Sequence, residues 1–303
     1  MDREVYDKYM EAGRIAAEAR DLGVSLIKPG VRILDVVEKV EGHILFRGAG
    51  LSFPVNISIN EVAAHFTPLK DDKQVFRRGD IVKLDVGSHI DGYIADTAVT
   101  VEVETNRYKD MIEASASALD NAIENMKLGV RLSDIGRIIE KTINSYGYTP
   151  IENLTGHSLD RYILHSGMSI PNVSSIKSNR KPKIDDVIAI EPFATDGIGH
   201  VISGKGSNIY IVRRSIGKIR DKQTKFLFQQ IKTKFKSLPF AHRWCNKLSS
   251  YNEVSLSRLN YLGFISQYPQ LIEQTKGIVT QKEHTVIVTE NGCEVTTYGE
   301  KEG

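Results

Sequence analysis

The chain has 303 residues, 41% of them apolar, which supports a substantial core and still fits one large α/β unit. Two cysteines, Cys245 and Cys293, make no disulfide framework in a chain of this size, so a reducing compartment is expected. The N-terminus is charged from its second residue, and no apolar run approaches the roughly 20 residues that cross a bilayer, so the reading is a cytoplasmic protein with no membrane partner.

Residues 4–22 carry Val5, Tyr9, Ala12, Ala16 and Ala19 at helical spacing, and Lys28-Pro29-Gly30 breaks the pattern. An internal repeat comes next. Gly30-Val31-Arg32-Ile33-Leu34-Asp35-Val36 reappears as Gly129-Val130-Arg131-Leu132-Ser133-Asp134-Ile135, and Val40-Glu41 matches Ile139-Glu140 at the same offset. Ser133 reads as the N-cap of the second helix, with Leu34 a weaker cap in the first; Asp35 and Asp134 suit the positive helix ends. After each helix comes a β-rich run ending in an acid: Asp80-Ile81-Val82-Lys83-Leu84-Asp85, and Asp186-Val187-Ile188-Ala189-Ile190-Glu191. Two related αβ halves, each delivering an acid to a shared centre, explain both correspondences.

Val82, Leu84 and Val86 alternate with Lys83, Asp85 and Gly87 as a strand. Asp91-Gly92 supplies a turn, and Val99, Val101 and Val103 mark the returning strand. Asp85 and Asp96 both oppose the valine parity, so they converge on one side. Paired carboxylates raise each other's pKa unless a cation lies between them. His157 follows Gly156, read as a backbone turn; Glu191 ends a buried strand before Pro192; Glu283 precedes the strand Thr285–Val288. Four acids and one imidazole suit two divalent ions. A lone Asp near a hairpin is usually a turn residue and a lone His a structural group, so the set of five carries the argument.

Between Arg213 and Lys247 lie eleven Lys or Arg and one acid, Asp221, a local charge of +10. Phe226 or Leu227, Ile231 and Phe235 give this stretch an apolar helical stripe, and Tyr261, Leu262 and Phe264 mark a further apolar segment. Residues 217–275 read as a helical subdomain inserted into the second half. Its cations, near Phe235, Phe240 and Trp244, suit contact with ribosomal RNA as well as a solvated face. Charge reversal of Lys232, Lys234 and Lys236 is the test of that contact.

These motifs resemble a known family. Lys83-Leu84-Asp85-Val86-Gly87, Asp91-Gly92-Tyr93-Ile94-Ala95-Asp96, Thr155-Gly156-His157, Ile190-Glu191-Pro192-Phe193 and Glu283-His284-Thr285 are similar to those of type 2 methionine aminopeptidases in their short archaeal form. The wider group is the pita-bread family, with prolidase and aminopeptidase P. The resemblance implies an α+β pita-bread fold, with pseudo-two-fold related αβ halves around a curved antiparallel sheet. The catalytic domain would span 1–216 and 276–303, with 217–275 inserted.

The resemblance also implies roles. Two divalent ions (cobalt, manganese, iron or zinc) would be held by Asp85, Asp96, His157, Glu191 and Glu283, with Asp96 and Glu283 bridging. Glu191 would take a proton from the attacking water, His65 would contact the scissile amide, and His165 would stabilise charge on the carbonyl oxygen. Phe53, Leu164, Phe193 and Tyr268 would line the slot for the N-terminal methionine of a nascent polypeptide. His43, His89, His200, His242 and His284 receive no role. No feature demands more than a monomer. A proline-directed peptidase and a catalytically silent binding protein are the competing readings; the first generally carries an extra N-terminal domain, the second loses ligands.

Overall fold

The computed structural model describes residues 1–174, 180–214, 217 and 219–299. The expected domain boundary at residue 216, Lys218 of the basic stretch and the last four residues lie outside them.

The first half comprises α1 (Arg3–Leu26), α2 (Ile33–Phe46), β1 (Gly50–Leu51), β2 (Asn56–Ile59), β3 (Val62–Ala64), β4 (Ile81–Ile90) and β5 (Tyr93–Glu102). The second comprises α3 (Lys109–Asn125), α4 (Leu132–Ser145), β6 (Thr149–Pro150), β7 (Thr155–Leu159), β8 (Ser169–Pro171), β9 (Val187–Ile190), β10 (Phe193–Thr195) and β11 (Val201–Val212). Then come α5 (Lys222–Phe235), β12 (Phe240–Ala241), α6 (His242–Cys245) and α7 (Asn252–Tyr261). The chain closes with β13 (Ile265–Glu273), β14 (Val279–Gln281), β15 (His284–Val288) and β16 (Cys293–Val295).

In α1 the alanines of the expected stripe are fully buried, and their small side chains let the helix lie close on β4 and β5. Asp2 caps it, accepting a hydrogen bond from the Val5 amide at 2.8 Å. The two halves keep separate cores. Ile15, Val36, Val40, Leu84 and Val86 share one; Met111, Leu119, Ile135, Ile139, Ile188 and Val286 share the other. Each pairs two helices with antiparallel strands, as the repeat requires.

The expected cap is corrected. α4 begins at Leu132, so Ser133 lies inside the helix and is buried, and Leu34 likewise lies inside α2. The cap residues are Arg131 and Arg32, and neither makes a side-chain cap bond. Each instead grips the acid three residues on: Arg32 Nε donates to Asp35 at 3.0 Å, Arg131 Nε to Asp134 at 2.8 Å. The repeat therefore extends to a shared Arg–Asp pair.

The sheets are antiparallel throughout. β4 pairs with β5 along ten residues and with β1 and β2 on its other edge; β16, β15, β9, β7 and β8 form a second sheet in that order. A bridge between Ala98 and Glu283 joins the two.

Helices α5, α6 and α7 pack around a third core of Leu227, Phe228, Ile231, Phe240, Leu256 and Phe264. Two expectations change here. Residues 265–273, read as part of the insertion, form β13, which pairs with β11 and β3. The aromatic residues expected beside the cations are occupied internally: Phe235 stacks on Phe240 with centroids 5.1 Å apart, and Trp244 Nε1 donates to Glu41. Burying those rings completes the small helical core, and the exposed rings among the described residues of this segment are Phe226, Tyr251 and Tyr261. Among the described residues no helix is long and apolar enough to cross a membrane.

Candidate metal centre

The register of β4 against β5 sets the first two acids. Asp85 faces Ala98 and Gly87 faces Asp96, which puts both carboxylates on one face as diagonal neighbours. Asp85 sits in the middle of β4 rather than at its end, unlike Glu191, which follows the last residue of β9. Glu283 arrives through the inter-sheet bridge, its amide donating to the Ala98 carbonyl at 3.0 Å. Two threonines secure it reciprocally: Thr97 Oγ1 donates to the Glu283 carbonyl at 2.9 Å, and Thr285 Oγ1 to the Asp96 carbonyl at 2.8 Å. Arg20, almost fully buried, donates in turn to Thr97 Oγ1.

His157 comes from β7, opposite Ala189 of β9. Gly156, expected to make a turn, lies within this strand; a Cβ there would sit 2.4 Å from the Ala189 carbonyl oxygen. Its function is close strand approach rather than a left-handed backbone. His157 Nε2 lies 3.7 Å from both Asp96 Oδ2 and Glu191 Oε1, and single ligand atoms of Asp96, His157 and Glu283 all fall within 4.8 Å of one another. All five expected ligands line the same cavity.

Burial and mutual repulsion govern the electrostatics of the five side chains in this cage. Burial lifts the Asp85 carboxyl to about 7. Burial also raises Asp96 and Glu283 well above the usual range, and neighbouring acids push them further. Glu191 is raised by burial and then by Asp85. Burial lowers His157 to about 3, keeping its imidazole neutral and able to coordinate. Asp85 Oδ1 and Asp96 Oδ1 are buried with no hydrogen-bond partner. Buried acceptors of this kind are costly unless a cation fills the space between them. The donor set fits divalent ions that take oxygen and imidazole.

Two cavities adjoin this cage and share His65, His157, His165 and Glu191. The first also takes Phe53, Leu164 and Tyr268, as expected, and adds Asn56, Ile209, Pro239 and Gln281. Phe193 belongs elsewhere. It is 1% exposed and lines the second cavity with Leu154, Met168 and Leu271. Glu191 lines both cavities, Pro192 interrupts the strand after it, and β10 pairs away towards β14 and β6, with Phe193 on the second cavity alone. His65 holds a left-handed backbone (φ 63°), with Nδ1 3.3 Å from the Pro269 carbonyl and its ring edge-on to Tyr268. Burial lowers its pKa to about 4. The His165 ring centroid lies 4.4 Å from that of His157.

Gln281 was missed, although its spacing could have shown it: two residues before Glu283, it shares that residue's parity. Its amide donates to Glu283 Oε2 at 3.2 Å and to Glu191 Oε2 at 3.4 Å. Pro239 and Ile209 carried no comparable signal.

The profile of Metallopeptidase family M24 matches residues 7–290. The chain belongs to this family. It is 47% identical over 299 residues to a methionine aminopeptidase of Methanocaldococcus jannaschii, covering 98% of this chain and 100% of that relative. The fold matches the solved structure of a thermophilic Arx1 with a TM-score of 0.85 at 19% identity, covering 99% of this chain and 92% of that one. It also matches methionine aminopeptidase of Thermotoga maritima with a TM-score of 0.70 at 24% identity, covering 98% of both chains. The two αβ halves around curved antiparallel strands are the pita-bread fold of this M24 metallopeptidase.

Proposed function

We propose that this M24 metallopeptidase removes the N-terminal methionine of newly made polypeptides at a centre holding two divalent ions. The observation that carries the reading is the convergence of Asp85, Asp96, His157, Glu191 and Glu283 on one cage beside an apolar cavity. The close relationship to a methionine aminopeptidase supports it.

Asp85, Asp96, His157, Glu191 and Glu283 would hold the ions, with Asp96 and Glu283 between them. The ions, manganese, iron, cobalt or zinc, would supply Lewis acidity at the scissile carbonyl and lower the pKa of the attacking water. Glu191 accepts the proton from that water, at the junction of both cavities. His65, kept neutral by burial, offers an imidazole N–H to the scissile amide. His165 donates towards the carbonyl oxygen as negative charge develops there. Phe53, Leu164 and Tyr268 receive the methionine side chain, and the second cavity, where Phe193 lies, takes the chain beyond it.

The catalytic domain on this reading comprises 1–216 and 276–303 together with β13, whose pairing with β11 and β3 returns it to that sheet, and leaves helices α5, α6 and α7 of 217–275 as the inserted subdomain; the enzyme acts as a cytoplasmic monomer. The exposed cations Lys222, Lys225 and Lys234 of α5 provide the face for ribosomal RNA.

Metal-depleted protein tested with each ion on Met-Ala-Ser and on an Xaa-Pro peptide decides the matter. Restored cleavage of Met-Ala-Ser alone is expected. Preference for the Xaa-Pro peptide would make this a proline-directed peptidase, and no activity with any ion would leave a binding protein.

A further inference from the structure

Three residues with left-handed backbones, none of them glycine, lie in connected segments near the apolar cavity: Asp91 (φ 51°) in the β4–β5 turn, Tyr162 (φ 57°), whose amide donates to Gly92 of that turn, and Lys236 (φ 53°), whose ammonium lies on the Tyr162 ring. Aspartate tolerates this region, whereas tyrosine and lysine adopt it only where their surroundings hold them there, commonly beside functional sites. Tyr162 is the common member. Its amide donates to the Gly92 carbonyl at 2.8 Å, and its ring lies on Gly92, where a Cβ would come within 2.3 Å of ring atoms. The Ser237 hydroxyl donates to the Tyr162 carbonyl, and the Lys236 ammonium sits 3.6 Å from the Tyr162 ring centroid. That cation is thus spent on the ring rather than offered with the basic face of α5. The contact fastens the loop after α5 to the β4–β5 turn and to the loop carrying His165.

The chain just beyond each of these two residues forms part of the cavity wall. Two residues past Tyr162 is Leu164; two and three past Lys236 are Leu238 and Pro239. Leu164 and Leu238 are buried in one apolar cluster with Phe53, and Leu164 and Pro239 line the cavity. Neither Tyr162 nor Lys236 lines it. We propose that the Lys236–Tyr162 contact is a positioning clamp that fixes the wall formed by Leu164 and Pro239, with Leu238 packed behind it, and so sets which first side chain the cavity accepts. This rests on the reading that the cavity receives the first residue of the substrate.

The test compares Lys236→Met, Tyr162→Leu and Tyr162→Phe in metal-loaded protein, with Met-Ala-Ser and Leu-Ala-Ser as substrates. Loss of the clamp should raise KM for Met-Ala-Ser about fivefold with little change in kcat, and lower the Met-over-Leu ratio of kcat/KM about tenfold. Tyr162→Phe keeps the ring face and should behave as the native protein. Lys236 is exposed, so its variant folds even where Tyr162→Leu does not. Amide exchange across 162–166 and 236–240 supplies a readout independent of activity, expected about tenfold faster in the first two variants. An unchanged Met-over-Leu ratio, or unchanged exchange, in Lys236→Met overturns the clamp. Inactivity of the native protein on Met-Ala-Ser overturns the reading of the cavity, and the exchange measurement then still decides the clamp.

Discussion

Two of the buried acidic sites among the described residues are built in opposite ways. At the cage, four carboxylates and a neutral imidazole face one another, and buried oxygens of Asp85 and Asp96 lack any partner. At the other site Glu41 on α2 is buried, yet the chain supplies its whole environment: Arg243, the Trp244 indole N–H at 2.9 Å and the Val55 amide at 3.2 Å. Arg243 Nη1 also donates to Thr67 Oγ1 at 2.6 Å and to the Pro68 carbonyl at 3.2 Å, and only its Nε is left without a partner. Burial still raises the Glu41 carboxyl, with Arg243 and Trp244 opposing it. A buried acid with a resident cation is architecture, here anchoring α6 of the inserted helices to the first half. Glu273 is also buried, and the Ile198, Thr275 and Gly277 amides satisfy it without a cation; what marks the cage is buried acid oxygens that find neither cation nor donor, a set that suits divalent ions.

Asp96→Asn breaks the comparison most severely. With ions present, kcat/KM should fall by about 10³-fold or more, because one carboxylate of the proposed ligand set is lost. Without ions, above the pH at which these acids ionise, the same substitution should raise the melting temperature, since it removes one of several buried acids whose ionisation burial and its neighbours oppose. The pH dependence of the metal-free protein checks the second half. Unfolded Asp85 ionises near its ordinary 3.8, whereas the buried group keeps its proton to about 7. Raising the pH through that window therefore draws protons from the unfolded chain first and lowers native stability. Asp96→Asn should flatten that decline, and an unchanged profile would show that the acids do not interact.

Glu41→Gln has the opposite sign. It leaves Arg243 buried without a counter-charge, so a loss of about 3–5 kcal/mol is expected from denaturant unfolding, with or without ions. A gain in stability, or a loss that bound ions rescue, would place Glu41 in the same class as the cage.

Both sites were unequally legible in the sequence. The cage could be read because its residues sit in short motifs whose parity fixes the face: Asp85 and Asp96 on neighbouring strands, Glu191 before a proline, Glu283 entering a strand. The Glu41 site could not, because its partners lie 202 residues apart and nothing local distinguishes Arg243 from ten other cations nearby. The same limit explains Phe235, Phe240 and Trp244. Their spacing beside lysines suits a nucleic-acid surface, but the small helical core needed them. Ser133 failed for a local reason, since the Arg131–Asp134 pair starts α4 before the serine is reached. Leu164 and Tyr268 line the cavity that holds the four acids and the imidazole, whereas the position of Phe193 depends on where β10 turns after Pro192.

Glu140 offers the finest test of the comparison, because it occupies the repeat position of Glu41 on α4. It is only half-buried, and its Oε2 accepts the Ser174 amide at 2.8 Å. Equivalent places in the repeat thus hold the same acid with different duties: one receives the inserted helices, the other ties down a surface loop. Water can replace most of what Glu140 gains, and a glutamine oxygen can accept the same amide. Glu140→Gln should therefore change unfolding free energy by less than about 1 kcal/mol, several-fold less than Glu41→Gln. Equal losses at the two positions would mean that helix geometry, common to both halves, sets the value of the acid. Unequal losses would assign that value to Arg243, and hence to the docking of the insertion.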